Sequence, residues 1–173
     1  MDILSVGEIL VDFIGEQYGK SIAETENYTR LLGGSAANLA VNSNTIGLDV
    51  TLVASVGNDG LGKYLLDELD SFGCNTSYVA KVSNQPTSLI FISRTDDTPD
   101  FIPVRGADAY IAEAQINNEL VQKAKVFHTS CFALSQEPAR SVIMRKAKLA
   151  FESGCKLSID INYATEIWPN QEE

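Results

Sequence analysis

Residues 33–62 read GGSAANLAVNSNTIGLDVTLVASVGNDGLG. Gly33-Gly34 opens a stretch from Ser35 to about Ile46 in which Ala36, Leu39, Ala40 and Ile46 fall at helical spacing, interrupted by Ser43. Ser35 is the expected cap of this helix and Gly47 its stop. Val50–Val56 follows as an apolar run of strand length, and Gly57–Gly60 as a turn. Leu61, Leu65, Leu66, Leu69 and Phe72 then share one face of a second helix closed by Gly73, with Asp67, Glu68 and Asp70 on the wet side. Upstream, Ile3–Val6 ended by Gly7 is another short buried-strand signal. The order strand, helix, strand, helix predicts an α/β fold with a parallel sheet covered by helices.

Outward from this core the pattern changes twice. Ile9–Ile14 is an apolar run interrupted by Asp12, and Tyr18–Leu32 is polar and mixed, as short strands and turns are. Tyr78–Val82, Leu89–Arg94 and Phe101–Val104 are three strand-like runs with no helix between them, and Thr95–Pro99 reads as a hairpin tip. These runs are expected in a separate small sheet. Alternation then resumes with a short helix from Glu119, a strand Val126–Thr129, a helix Pro138–Ser153 and a strand Lys156–Ile161. The reading is one α/β domain over residues 1–173, with β-rich insertions at about 10–32 and 76–106 folded as a lid over a cleft.

The 173 residues are 45% apolar and 21% charged, ordinary globular usage, so a packed core is expected. With 13 basic and 23 acidic residues the net charge is -10, a field that repels phosphate backbones and argues against nucleic-acid binding. An anionic substrate would need a local basic pocket. Cys74, Cys131 and Cys155 are odd in number and lack C-x-x-C spacing, and His128 is the sole histidine. Reduced thiols and no metal site are expected. The chain opens without a charged-then-apolar leader, and no apolar run approaches the ~18 residues a membrane helix needs. A cytoplasmic protein with no membrane partner is the expectation.

Several residues carry candidate chemistry. Two glycines before a helix let a ligand approach backbone amides closely, and Asn38, one turn in, offers a donor and an acceptor; the same residues also make a plain turn and cap. Gly57 through Tyr64 nearly spells the phosphate-binding G-x-x-x-x-G-K-[ST] loop, but Tyr64 cannot replace the small hydroxyl that holds Mg²⁺. The competing reading is a turn in which Asp59 caps the helix and Lys63 is solvated. Asp12, a carboxylate within an apolar strand, either faces a cleft or lies in water on an edge strand. Arg105 either fixes an anionic or hydroxyl-rich ligand or is a surface arginine, and His128 reads as structural.

These pieces, in this order, resemble the ribokinase/PfkB family of carbohydrate kinases. Gly7 through Asp12 resembles the family's opening strand with its sugar-binding aspartate. Gly33-Gly34 with Asn38, continuing through Gly47 to Val56–Gly62, resembles its first signature. Pro86-Thr87 and Arg105-Gly106-Ala107-Asp108-Ala109 look like the fructokinase and 2-keto-3-deoxygluconate kinase branch, as does Asp160-Ile161-Asn162-Tyr163 followed by Ile167-Trp168.

The resemblance implies a parallel α/β sandwich with a small β lid. It also implies transfer of the ATP γ-phosphoryl group to a sugar hydroxyl with Mg²⁺, and a homodimer through the lid. Asp12, Gly33, Gly34, Asn38 and Arg105 would hold the sugar, and Asp160 and Asn162 would lie near the phosphate or ATP. Ala164 occupies the position of the family's D-x-N-x-R arginine. The late G-A-G-D motif that supplies the family's base, its metal motif and most of its ATP site are expected beyond residue 173, so no catalytic base or metal ligand is assigned within this chain. The alternative is a short protein that binds a sugar or a partner chain without catalysis.

Overall fold

The structure, a computed structural model, describes residues 1–96 and 98–168. In chain order its elements are β1 (Ile3–Val6), β2 (Leu10–Tyr18), β3 (Tyr28–Gly33), α1 (Ser35–Thr45), β4 (Val50–Gly57), α2 (Gly60–Ser71), β5 (Val79–Val82), β6 (Leu89–Arg94), β7 (Phe101–Val104), α3 (Asn118–Gln122), β8 (Val126–Ser130), α4 (Ala139–Glu152) and β9 (Lys156–Asp160), with short 3-10 turns between some of them. The hairpin tip expected at Thr95–Pro99 includes Asp97, which lies outside the described residues.

Five strands form a parallel sheet in the order β5-β4-β1-β8-β9. Both faces of β4 are covered, so it is a near-continuous apolar run buried from Thr51 to Gly57. Alternate residues separate the two cores. Leu4, Val6, Val53 and Phe127 pack with Ile111, Ile116 and Ile143 on one face. Leu52, Ala54 and Val56 pack with Ala36, Ala40, Leu65 and Leu69 on the other. Leu65 and Leu69 are fully buried, each stabilising the fold by about 1.5–3 kcal/mol. α1 carries Ala36, Ala37 and Ala40 on its buried side, and these small residues let its first turn approach the ends of β1 and β8 closely.

Four strands form the second sheet, in the order β3-β2-β6-β7, with β2 antiparallel to β3 and parallel to β6. The run Tyr78–Val82, expected in this small sheet, belongs elsewhere: β5 pairs in parallel with β4, Ala54 against Val79 through Gly57 against Val82. It is the edge of the main sheet, and the chain crosses to the small sheet only after it.

Candidate functional site

Neighbouring strands of the main sheet diverge at β1, where β4 leaves to one side and β8 to the other. A crevice forms outside the carboxyl ends of strands at such a switch point. The cleft found there has a volume of about 530 Å³. Its base is Glu8 with Gly34 and Ser35, one wall is Asn38 and Asn42 of α1, and the opposite wall is His128, Ser130, Phe132, Asp160 and Asn162. Leu10, Asp12 and Ile90 of the small sheet cover it.

The start of α1 is built without a capping side chain. Ser35 is not the cap; Gly34 holds that place at φ 101. A Cβ there would be strained by the left-handed backbone and would stand 2.5 Å from the Glu8 carbonyl oxygen. The missing cap is replaced from β1's end: the Ser35 amide donates to Glu8 Oε1 at 2.6 Å, and the Ser130 hydroxyl donates to Glu8 Oε2 at 2.5 Å. Glu8 is only 1% exposed, and burial raises its pKa against the opposing pull of these hydrogen bonds. The freed Ser35 hydroxyl donates across the cleft to Asp160 Oδ2 at 2.5 Å, so that α1 and β9 are tied together over the switch point.

Asp12 faces the cleft from β2. Among the described residues its carboxylate has no hydrogen-bond partner, and burial alone pushes its pKa up to about 6. Gly33 lies beside it on β3, where a Cβ would overlap the Asp12 carboxylate. Gly33 therefore acts by leaving room and does not itself line the cleft. Asn38 is exposed to the cleft, directly across from the small sheet, and its backbone carbonyl accepts from Asn42 Nδ2 at 2.8 Å. Asp160 and Asn162 meet at the far wall, where the Asn162 amide donates to Asp160 Oδ1 at 3.1 Å. Among the described residues no group of three His, Cys, Asp or Glu side chains is placed to hold a metal ion.

Arg105 departs from its expected place. It does not line the cleft: Nε donates to Asp108 Oδ2 at 2.9 Å, Nη1 donates to the Ser135 hydroxyl at 2.8 Å, and the guanidinium lies 4.0 Å over the Phe132 ring. Asp108 is fully buried, and a buried carboxylate requires a partner of this kind. Arg105 thus acts on the cleft only through Phe132, whose ring lines it. The near-phosphate-loop is also resolved. Asp59 caps α2, accepting from the Gly62 amide at 2.8 Å and from the Thr87 amide at 2.8 Å, while Lys63 pairs with Asp67 in solvent.

Sequence reasoning missed Glu8, Ser130 and Phe132, and read His128 as structural only. His128 lines the cleft while Nδ1 meets the Ser158 hydroxyl at 3.0 Å and Nε2 is buried with no partner among the described residues. Burial lowers its pKa and the nearby Asp160 opposes that shift. Glu8 stands two residues beyond β1, and its partners Ser35 and Ser130 are so distant in sequence that no local signal marks this group.

The fold is shared with known proteins. The chain is 35% identical over 167 residues to an ATP-dependent 6-phosphofructokinase of Thermoanaerobacterium thermosaccharolyticum, covering 96% of this chain and 51% of that protein. It is 33% identical over 173 residues to probable fructokinase-5 of Arabidopsis thaliana, covering 98% and 53%. The chain therefore spans about half the length of the curated relatives it matches. The structure of Halothermothrix orenii fructokinase superposes with a TM-score of 0.92 at 36% identity, covering all of this chain and 62% of that one. A sugar kinase of Pyrococcus horikoshii in complex with ATP superposes with a TM-score of 0.90 at 27% identity, over 98% of this chain and 56% of that one. The family model described as pfkB family carbohydrate kinase matches residues 1–173, and the chain belongs to that family.

Proposed function

We propose that this chain forms the sugar-binding part of an ATP-dependent kinase that phosphorylates a sugar hydroxyl, on a fructose-like ketose or a keto-sugar acid. The observation that carries this reading is Asp12. A carboxylate desolvated in a cleft with no protein partner is stabilised by ligand hydroxyl groups, and Asn38 opposite it supplies both a donor and an acceptor. Gly34 brings backbone close to the same ligand. The small sheet, set over the cleft by Asp12 and Ile90, acts as the lid.

ATP is the proposed phosphoryl donor, with Mg²⁺ neutralising its phosphates. Asp160 and Asn162 face the cleft from the end of β9, on the side where the transferred group would lie. They do not make a metal cage by themselves, so the ion would be held chiefly by the nucleotide and by groups other than these. No residue of the chain is assigned as the general base. Since phosphoryl transfer depends on positioning and charge stabilisation, the 173-residue chain is expected to bind sugar without turnover.

The test is a titration calorimetry panel of neutral hexoses and ketoses with the wild type, Asp12→Ala and Asn38→Ala, together with a coupled assay of ADP release. Each variant is expected to weaken sugar binding by about tenfold or more, the loss of one or two buried hydrogen bonds. Unchanged affinity in both variants removes those residues from the site. A second reading, a non-catalytic sugar- or partner-binding protein, is favoured by the exposed apolar residues Leu157 and Ile159 of β9 and Ile161 just past its end. Phosphoryl transfer to a sugar by any protein that contains this chain would overturn it.

A further inference from the structure

Four segments of the chain meet beneath the cleft, and their hydrogen bonds close into a ring. The Ser35 amide of α1 donates to Glu8 Oε1, and the Ser130 hydroxyl at the end of β8 donates to Glu8 Oε2. The Ser35 hydroxyl donates to Asp160 Oδ2 at the end of β9, and the Cys131 amide donates to the Asp160 backbone carbonyl at 2.8 Å. Cys131 follows Ser130 directly, so the path returns to Glu8. Gly7 lies against this ring, where a Cβ would stand 2.8 Å from the Ala36 Cβ and 3.2 Å from the Ala133 Cβ. The first turn of α1 and the turn after β8 are thus closed around the residue that precedes Glu8.

We infer that Glu8 is a positioning residue for ligand binding: one of its side-chain oxygens fixes the wall that carries Asn38, and the other fixes the wall that carries Phe132. The inference rests on the sugar-binding reading above and deepens it. Glu8 does not act by touching the ligand, because it is 1% exposed and each of its oxygens already has a protein donor. It acts on the spacing of the two walls. Asn38 lies one turn along α1 from Ser35, and its amide donates to the Gly34 carbonyl at 2.8 Å, so it moves with that end of the helix. On the other side the Ser130 hydroxyl accepts from the Ala133 amide at 3.0 Å and closes the turn on which Phe132 stands. A binding site needs its groups held to within about 0.5 Å by the shell behind them. The buried face of α1 is mainly alanine and has little side chain to interlock with the sheet, so this end of the helix takes its place from the hydrogen bonds of the ring.

Glu8→Gln keeps an acceptor for the Ser35 amide but turns N–H groups toward Ser130, whose hydroxyl hydrogen then has no acceptor there. Ser130→Ala breaks the same link from the other side. The experiment titrates D-fructose and 2-keto-3-deoxygluconate into the 173-residue chain by calorimetry, as wild type, Glu8→Gln, Ser130→Ala, their double variant and Glu8→Ala. The sugar that the wild type binds more tightly is carried through the series. Glu8→Gln and Ser130→Ala are each expected to weaken its binding by about tenfold, and the double variant by no more than the larger single loss, since both break one link. Glu8→Ala, which also releases Ser35, is expected to lose about a hundredfold, so that glutamine recovers part of what alanine loses. Asp59→Ala, which uncaps α2 outside the cleft, is expected to lower the melting temperature and leave sugar affinity unchanged, which separates loss of position from loss of stability. Wild-type affinity in both Glu8→Gln and Ser130→Ala overturns the inference and leaves the sugar-binding reading standing. So does an equal loss of affinity in Asp59→Ala. Where Glu8→Ala does not fold, Glu8→Gln and Ser130→Ala decide by themselves. Binding of neither sugar by the wild type overturns the sugar-binding reading itself, and this inference with it.

Discussion

At the scale of single residues, Asp12 decides most about the cleft, and its ionisation has a thermodynamic signature. Burial raises its pKa from an ordinary 3.8 to about 6, so between those values the folded chain holds a proton that the unfolded chain has released. Folding stability contributed by this group falls as pH rises through that window, and the full penalty is present above it. Glu8, raised by burial in the same direction, adds a slope of the same sign, so the wild type alone cannot separate them. Asp12→Asn removes one. The variant is expected to melt higher than the wild type at pH 7.5 and at the same temperature near pH 3.5, read by calorimetry at both pH values. Sugar affinity of the wild type is expected to rise as pH increases through about 6, because only the carboxylate accepts two ligand hydroxyl hydrogens at once, and Asp12→Asn is expected to lose that dependence. A variant that melts no higher at pH 7.5 would mean that Asp12 is solvated. Asp12 was legible in the sequence because a carboxylate among apolar strand residues is an anomaly that local reading detects. Glu8 was not, since its partners Ser35 and Ser130 lie 27 and 122 residues away and only the fold brings them to it. Arg105 shows the converse. Its position after a strand suggested a free charge, and the buried Asp108 three residues on consumes it.

At the scale of elements, strong periodicity fixed what could be read. α2 was legible because Leu65 and Leu69 repeat on one face, and its cap because Asp59 stands immediately before Gly60. α1 was readable mainly from its glycine boundaries, as its buried face is alanine and its true cap comes from Glu8. β5 was recognised as a strand and assigned to the small sheet, because four residues carry no information on which neighbour they will pair with. Pairing to β4 is decided by the return path of the chain through α2, the connection that parallel neighbouring strands require. The near-phosphate-loop is the sharpest element-level test. Asp59→Ala removes an acceptor used by the Gly62 and Thr87 amides and is expected to cost about 1–2 kcal/mol in urea denaturation. Lys63→Ala, on the solvated face, is expected to change stability by less than about 0.5 kcal/mol and to leave nucleotide affinity of any kinase containing this chain unchanged. A large loss of nucleotide binding in Lys63→Ala would restore the phosphate-loop reading that the capping geometry rejects.

At the scale of the molecule, one edge of the main sheet stands apart from the rest. β9 pairs with β8 on one side, and among the described residues no strand pairs with its other side. Leu157 and Ile159 alternate along one face of it at 50% and 48% exposure, Ile161 just past its end is 72% exposed, and Phe151 on the preceding helix is 69% exposed. An unpaired strand edge with apolar side chains is a ready-made template for association between chains, and nothing charged interrupts this one between Leu157 and Ile159. Opposing it is the net charge of -10, which makes two copies repel at low ionic strength. The two terms respond to salt in opposite ways: screening removes the repulsion, whereas apolar burial is undiminished. The 173-residue chain is therefore expected to be monomeric in dilute buffer and to self-associate as salt is raised to about 0.5 M, where the Debye length is well under 10 Å. Ile159→Lys places a charge at the centre of the row and is expected to abolish that association without altering sugar affinity, since Ile159 points away from the cleft-lining Asp160. Sedimentation velocity at two salt concentrations checks both statements. A dimer already present at low salt and unaffected by Ile159→Lys would place the interface on the small sheet instead, at the exposed Leu31, Ile102 and Val104, and would make the lid the contact between copies.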